Sequence, residues 1–133
     1  MKYLLAGIGI LALLLCAGIL VTWRSDRCLD ETESALRLAA DHFPLRDFPA
    51  IRADLDAAQA VWHSHHGFFG SILSHTELEE VNGCFASLLA YAEQEEMAEL
   101  KDAYARLTAM LAHLREADRL RYYNILAQML TCR

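Results

Sequence analysis

The sequence predicts an all-α protein. It reads as an N-terminal transmembrane helix followed by antiparallel helical hairpins, a tetratricopeptide-like two-hairpin bundle with a C-terminal capping helix. Three observations predict this. Residues 3–23 carry no charge. Beyond them, apolar residues recur at steps of three and four, the period of a helix face, and no strand-like alternation persists. The pattern of one helix pair then returns 49 residues later, Asp47 aligning with Glu96.

The first element is "YLLAGIGILALLLCAGILVTW", Tyr3 to Trp23. At about 1.5 Å per residue these residues make a helix of roughly 31 Å, enough to cross a hydrocarbon core. Trp23 is an aromatic of the kind found at the membrane surface, and Arg24 follows at once. A cleaved signal peptide has a shorter apolar core, about 7–15 residues, and a small-x-small site after it. The run here is longer and no such site follows. A lipoprotein anchor at Cys16 would need a small residue before the cysteine, and Leu15 stands there. An uncleaved signal anchor over 1–23 is therefore expected, with a body over 24–133. The short tail, Met1 and Lys2, favours export of that body. Arg24 and Arg27 pull the other way under the positive-inside rule. The expected location is the cytoplasmic membrane, single-pass, with the body outside the cytoplasm.

Five body helices are expected, over about 24–43, 47–73, 75–93, 96–116 and 118–130. The first shows Leu29, Thr32, Leu36, Ala39 and Phe43 on one face. Pro44 closes it, because the residue before a proline disfavours the α region. Nothing between Trp23 and Leu29 breaks the helix, so span and body can form one rod. Asp47 caps the second helix, with Pro49 tolerated in its first turn. Its stripe is Phe48, Ile51, Leu55, Ala58 and Trp62, continuing through His66, Phe69 and Leu73. Ser74 and Glu77 form a capping box for the third helix, whose stripe is Leu78, Val81, Phe85, Leu88 and Ala92. The fourth shows Met97, Leu100, Tyr104, Leu107, Leu111 and Leu114. The last, about Leu120 to Leu130, is expected to cap the stack. Two repeats are fewer than the usual minimum of about three for a solenoid, so a cap or a partner must cover the open end.

Composition excludes some functions. The net charge is −6 and the basic residues are scattered, so no basic stripe marks a nucleic-acid site. The four cysteines include no C-x-x-C pair, which removes zinc-ribbon and thioredoxin-like readings. Cys16 lies in the span. Cys28, Cys84 and Cys132 read as small apolar residues, with a Cys28–Cys132 bridge available to an exported body. No Gly-rich phosphate loop or G-x-S-x-G elbow is present, and no motif calls for a cofactor. The sequence is read as that of a non-enzyme.

"WHSHHGFFGSILSHTELEE", Trp62 to Glu80, holds four of the six histidines. One reading makes it a metal or metal-sensing site using His63, His66 and His75, since His63 and His66 sit three apart on a helix, a half-site. The other makes it a helix junction, with His75 at a buried turn, and His63 and His65 in solvent. The junction reading is favoured. It leaves Trp62, Phe68, Phe69 and His75 as the expected contact surface for a protein partner.

Trp62 at the end of its stripe, "HTEL" at His75–Leu78 and "NIL" at Asn124–Leu126 accompany a short N-terminal span and an all-helical body. In this the chain resembles the domain of unknown function 4363 family of small bacterial membrane-anchored helical proteins, found mainly in Clostridia-like Firmicutes. The resemblance covers nearly the whole chain. It implies an anchored helical body with no assigned activity, cofactor or catalytic residue. Family members are said to lie beside genes for YetF-like membrane proteins, which implies a membrane-protein partner. His63, His65 and His66 lie outside the family pattern and His75 inside it.

Overall fold

The computed structural model describes the backbone of residues 1–131 and, beyond residue 121, the side chains of residues 123, 124, 127, 128 and 131. Cys132 lies outside the described residues, as do the side chains of Ile125 and Leu126, so the Cys28–Cys132 bridge and most of the "NIL" motif lie outside them too.

The described residues form five helices and no strand: α1 Lys2–Asp41, α2 Phe48–Ser64, α3 His66–Ile72, α4 His75–Glu93 and α5 Met97–Thr131. Helix α1 is a single helix of 40 residues. Its first half is long and apolar enough to cross a membrane, and none of that window is buried against the rest of the chain. Its second half buries Cys28, Leu29, Thr32, Leu36 and Ala39 in the core. One rod thus carries two kinds of surface, apolar all round and then apolar on one stripe.

Each start and stop has a local cause. The Asp47 carboxylate accepts from the Ala50 N–H at 3.2 Å and opens α2. The Ser74 hydroxyl accepts from the Glu77 N–H at 3.2 Å, and the Glu77 carboxylate accepts from the Ser74 N–H at 2.8 Å, closing the capping box at the head of α4. Helix α4 ends in a Schellman turn. There the Glu96 N–H reaches the Tyr91 carbonyl at 3.0 Å and Glu95 adopts a left-handed φ of 58°.

Two boundaries differ from those the sequence predicts. The helix expected over 47–73 breaks at His65, which leaves α geometry with φ −97° and ψ 5°. The Ser64 hydroxyl bonds the Val61 carbonyl at 2.6 Å, and the His65 N–H bonds the Trp62 carbonyl at 3.1 Å, tightening the last turn. The bend swings Phe69 back onto Trp62. At Gly67 and Gly70 no neighbouring atom lies within 4 Å of where a Cβ would stand. They therefore serve no close packing. The second difference is that the helices expected over 96–116 and 118–130 are one. No Gly or Pro follows Gly83, so nothing stops α5 before Thr131.

Helix α1 lies along α2, and α4 along α5; α2 also meets α4, and α1 meets α5. These contacts close a ring around one core instead of leaving the first and last helices apart, as an open stack would. The fully buried side chains include Trp62, Phe69, Phe85, Leu36, Ile51 and Leu107. The 49-residue repeat is visible in burial. Leu29, Thr32, Leu36, Ala39 and Phe43 are buried, and so are Leu78, Val81, Phe85, Leu88 and Ala92. Phe48, Ile51, Ala58 and Trp62 correspond likewise to Met97, Leu100, Leu107 and Leu111. Even the turns match: among the described residues the two non-glycines with positive φ, Arg46 and Glu95, are themselves 49 residues apart.

Candidate functional site

The histidine-rich stretch forms the α2–α3–α4 junction, and its Trp62 and Phe69 lie inside the bundle. The Trp62 ring stacks on Phe69 with centroids 4.6 Å apart and planes 20° apart. The indole N–H of Trp62 donates to the Asn82 side chain at 3.0 Å, so the buried ring leaves no polar group unpaired. Phe68 meets Phe69 edge-on at 5.5 Å. Trp62 is 0 % exposed and Phe69 1 %. This corrects the expected contact surface: both are core, because the bend at His65 folds the α3 stripe inward. Phe68 is half-buried and covered on one side by the Arg24 guanidinium, 5.2 Å from its ring. His75, expected at a buried turn, is exposed in the first turn of α4, with Glu79 at 3.7 Å. The four residues therefore do not share one accessible surface.

The metal reading fares no better. His63 and His66 are exposed, with ring centroids 6.4 Å apart, and His75 begins the next long helix. Among the described residues no three His, Cys, Asp or Glu side chains converge as a ligand set. A half-site without converging partners falls short of the four ligands typical of a closed zinc site.

His65, expected in solvent, is instead a tether. Its Nε2 lies 2.9 Å from the Glu31 carboxylate, joining the junction to α1, and Arg27 reaches the same carboxylate at 3.4 Å. The hydrogen bond from His65 holds the Glu31 carboxyl below the usual range, with Arg27 adding to it. Arg27 also lies 5.7 Å from the Trp23 ring. A cavity of about 330 Å³ opens here, lined by Leu20, Trp23, Arg24, Arg27, Cys28, Glu31 and His65. No local pattern signalled the Glu31–His65 pair. The two residues are 34 apart in sequence and on different helices. The stretch of two arginines after an apolar run was legible.

A larger groove of about 590 Å³ runs between α4 and α5. Cys84, Tyr91, Ala103 and Met110 form its apolar part, and Glu80, Glu99, Asp102 and Arg106 its charged rim. Burial pushes the Cys84 thiol up, so it stays protonated and a poor nucleophile. Cys28 is raised for the same reason, burial first. Compared with known proteins, the chain matches no family model, no curated protein and no solved structure.

Proposed function

We propose that this is a non-enzymatic, membrane-anchored helical scaffold, a single-pass protein of the bacterial cytoplasmic membrane with its body outside the cytoplasm. One observation carries the reading. Helix α1 runs without a break from an exposed apolar stretch into the bundle core, so the body is held rigidly at the surface that the span leaves. The two repeat halves are read as tetratricopeptide-like hairpins folded against each other. The resemblance to the domain of unknown function 4363 family, with its YetF-like membrane-protein neighbour, belongs to this same proposal.

The surface offered to a protein partner is the α4–α5 groove. Three carboxylates against one arginine on its rim favour a basic amphipathic segment, seated on Tyr91 and Met110 in the helix-in-groove mode. Photo-crosslinkers at Ser87 and Asp102, both exposed, test this in native membranes. The proposal expects a discrete adduct to a membrane protein from both positions. It fails if neither gives one while the chain remains in the membrane after alkaline extraction. Release of the chain by alkaline extraction would overturn the anchor itself.

A further inference from the structure

Two contacts set the register between the first and last helices. Tyr104 meets Phe43 edge-on at 5.4 Å, and Arg115 bonds Asp30 at 2.7 Å. Moving up α5 from 104 to 115 moves from Phe43, in the turn just past α1, down to Asp30 within α1, so the two helices run antiparallel. Continued at the same pace, residues 122–131 lie level with about residues 11–22 of α1. That is the height of the apolar span.

The sequence changes character at the same height on both helices. In α1 the last uncharged residue is Trp23, and Arg24 begins the body. In α5 the last charge is Arg121, and residues 122–132, "YYNILAQMLTC", carry none. Arginines and aromatics thus meet at one level from two helices, the arrangement a membrane surface favours. Arg121 is fixed there by a hydrogen bond from its guanidinium to the Ile72 carbonyl at 3.1 Å. Among the described side chains of this part of α5 the bundle covers none: Tyr123 is 72 % exposed, and Asn124, Ala127, Gln128 and Thr131 are exposed as well. Helix geometry through Thr131 pairs the backbone groups of this segment internally except the carbonyls of the last turn, which suits a segment entering lipid. On α1, Gly18, Val21 and Thr22 are half-buried, in line with the body-facing stripe through Ser25 and Leu29.

We propose that the end of α5, from Tyr122 to Thr131, beds into the bilayer leaflet beside the α1 span and gives the protein a second membrane contact. Ten residues of helix reach at most about 15 Å, half of a hydrocarbon core of about 30 Å, so the segment lies within one leaflet, and Arg133, next but one in the sequence, limits its depth because a charge at the bilayer centre is costly. Two helices entering the leaflet side by side fix the tilt of the body, which one helix alone does not. The inference rests on the anchored reading above.

The test uses the full chain in vesicles of phosphatidylethanolamine and phosphatidylglycerol. Native cysteines are replaced by alanine, and single spin labels are placed at Leu13→Cys, Ala112→Cys or Ala127→Cys. Collisions with oxygen report lipid, and collisions with a water-soluble nickel chelate report solvent. The proposal expects the oxygen-to-nickel ratio at 127 to match that at 13 and to exceed that at 112 severalfold. Nickel access at 127 equal to that at 112, with 13 still in lipid, overturns the second contact alone. Nickel access at 13 overturns the anchored reading and this inference with it. A label at 127 shielded from both reagents, with spin–spin broadening that grows with protein-to-lipid ratio, replaces lipid by a second copy of the chain.

Discussion

The two halves of the bundle share a buried pattern and build different helices from it. At the offset of 49 residues, Ser25 corresponds to Ser74 and Cys28 to Glu77. Ser74 and Glu77 form a capping box, and α4 starts there. With cysteine in the place of the glutamate, Ser25 cannot form that box, and α1 continues upstream into the apolar span. At the other end, His65 corresponds to Leu114. The chain bends at His65 to bring Phe69 over Trp62 and return as α4. At Leu114 the helix runs on. The repeated face determines what is buried, and a few residues at its edges determine where each helix begins and ends.

The largest effect should come from Trp62, the largest fully buried side chain among the described residues. Trp62→Ala removes a fully buried indole, its stack on Phe69 and its bond to Asn82. A loss of about 3–5 kcal/mol is expected, enough to leave the body marginal. Its counterpart Leu111→Ala should cost less, about 2–4 kcal/mol, since no polar partner is orphaned. Denaturant unfolding followed by circular dichroism ranks the two, and a larger loss at Leu111 would reverse the account of the junction.

Next is the start of α4. Ser74→Ala should cost about 1 kcal/mol through the lost cap. Ser25→Ala should leave the start of α1 unchanged, and the same unfolding curves separate them. The turns should act in the opposite direction. Glu95→Gly should stabilise by about 0.5–1 kcal/mol, because glycine adopts the left-handed φ of 58° without strain. Arg46→Gly, at φ 52°, should do the same, and a fall in melting temperature for either would show that its side chain matters more than its backbone.

The smallest effect concerns acid. Glu31 and Glu77 both titrate below their ordinary value of 4.5, Glu31 through its bond to His65 and Glu77 through the Ser74 N–H and hydroxyl. A lowered folded value means that these contacts stabilise the protein above the ordinary value. The contribution is lost as pH falls through the lowered values. Melting temperature should therefore drop on acidification below about pH 4.5, and Glu31→Gln should flatten part of that drop. An unchanged acid profile in the variant would remove the tether from the account.

Much of this fold was legible in the sequence. The stripes from Leu29 to Phe43 and from Leu78 to Ala92 show which faces are buried, and S-x-x-E marks the head of α4. The bend at His65 was not legible, because the apolar stripe continues across it at helical spacing through His66, Phe69 and Leu73. Only the pairing of Phe69 with Trp62 shows that the chain has turned. For the same reason Trp62 and Phe69 read as an open surface when they are core. The link from Glu31 to His65 depends on how α1 lies against the junction, which no local pattern encodes. The end of α5 read as a separate cap over about Leu120 to Leu130, whereas without glycine or proline the helix simply continues.

The central claim is that α1 is one rigid helix joining the apolar span to the core. Spin labels at Ile19→Cys and Leu38→Cys, both exposed, measure it directly by electron–electron distance in the full chain. Nineteen residues of unbroken helix predict a narrow distribution near about 28 Å. A broad distribution, or one centred well below that distance, would place a hinge at the membrane surface and contradict the claim.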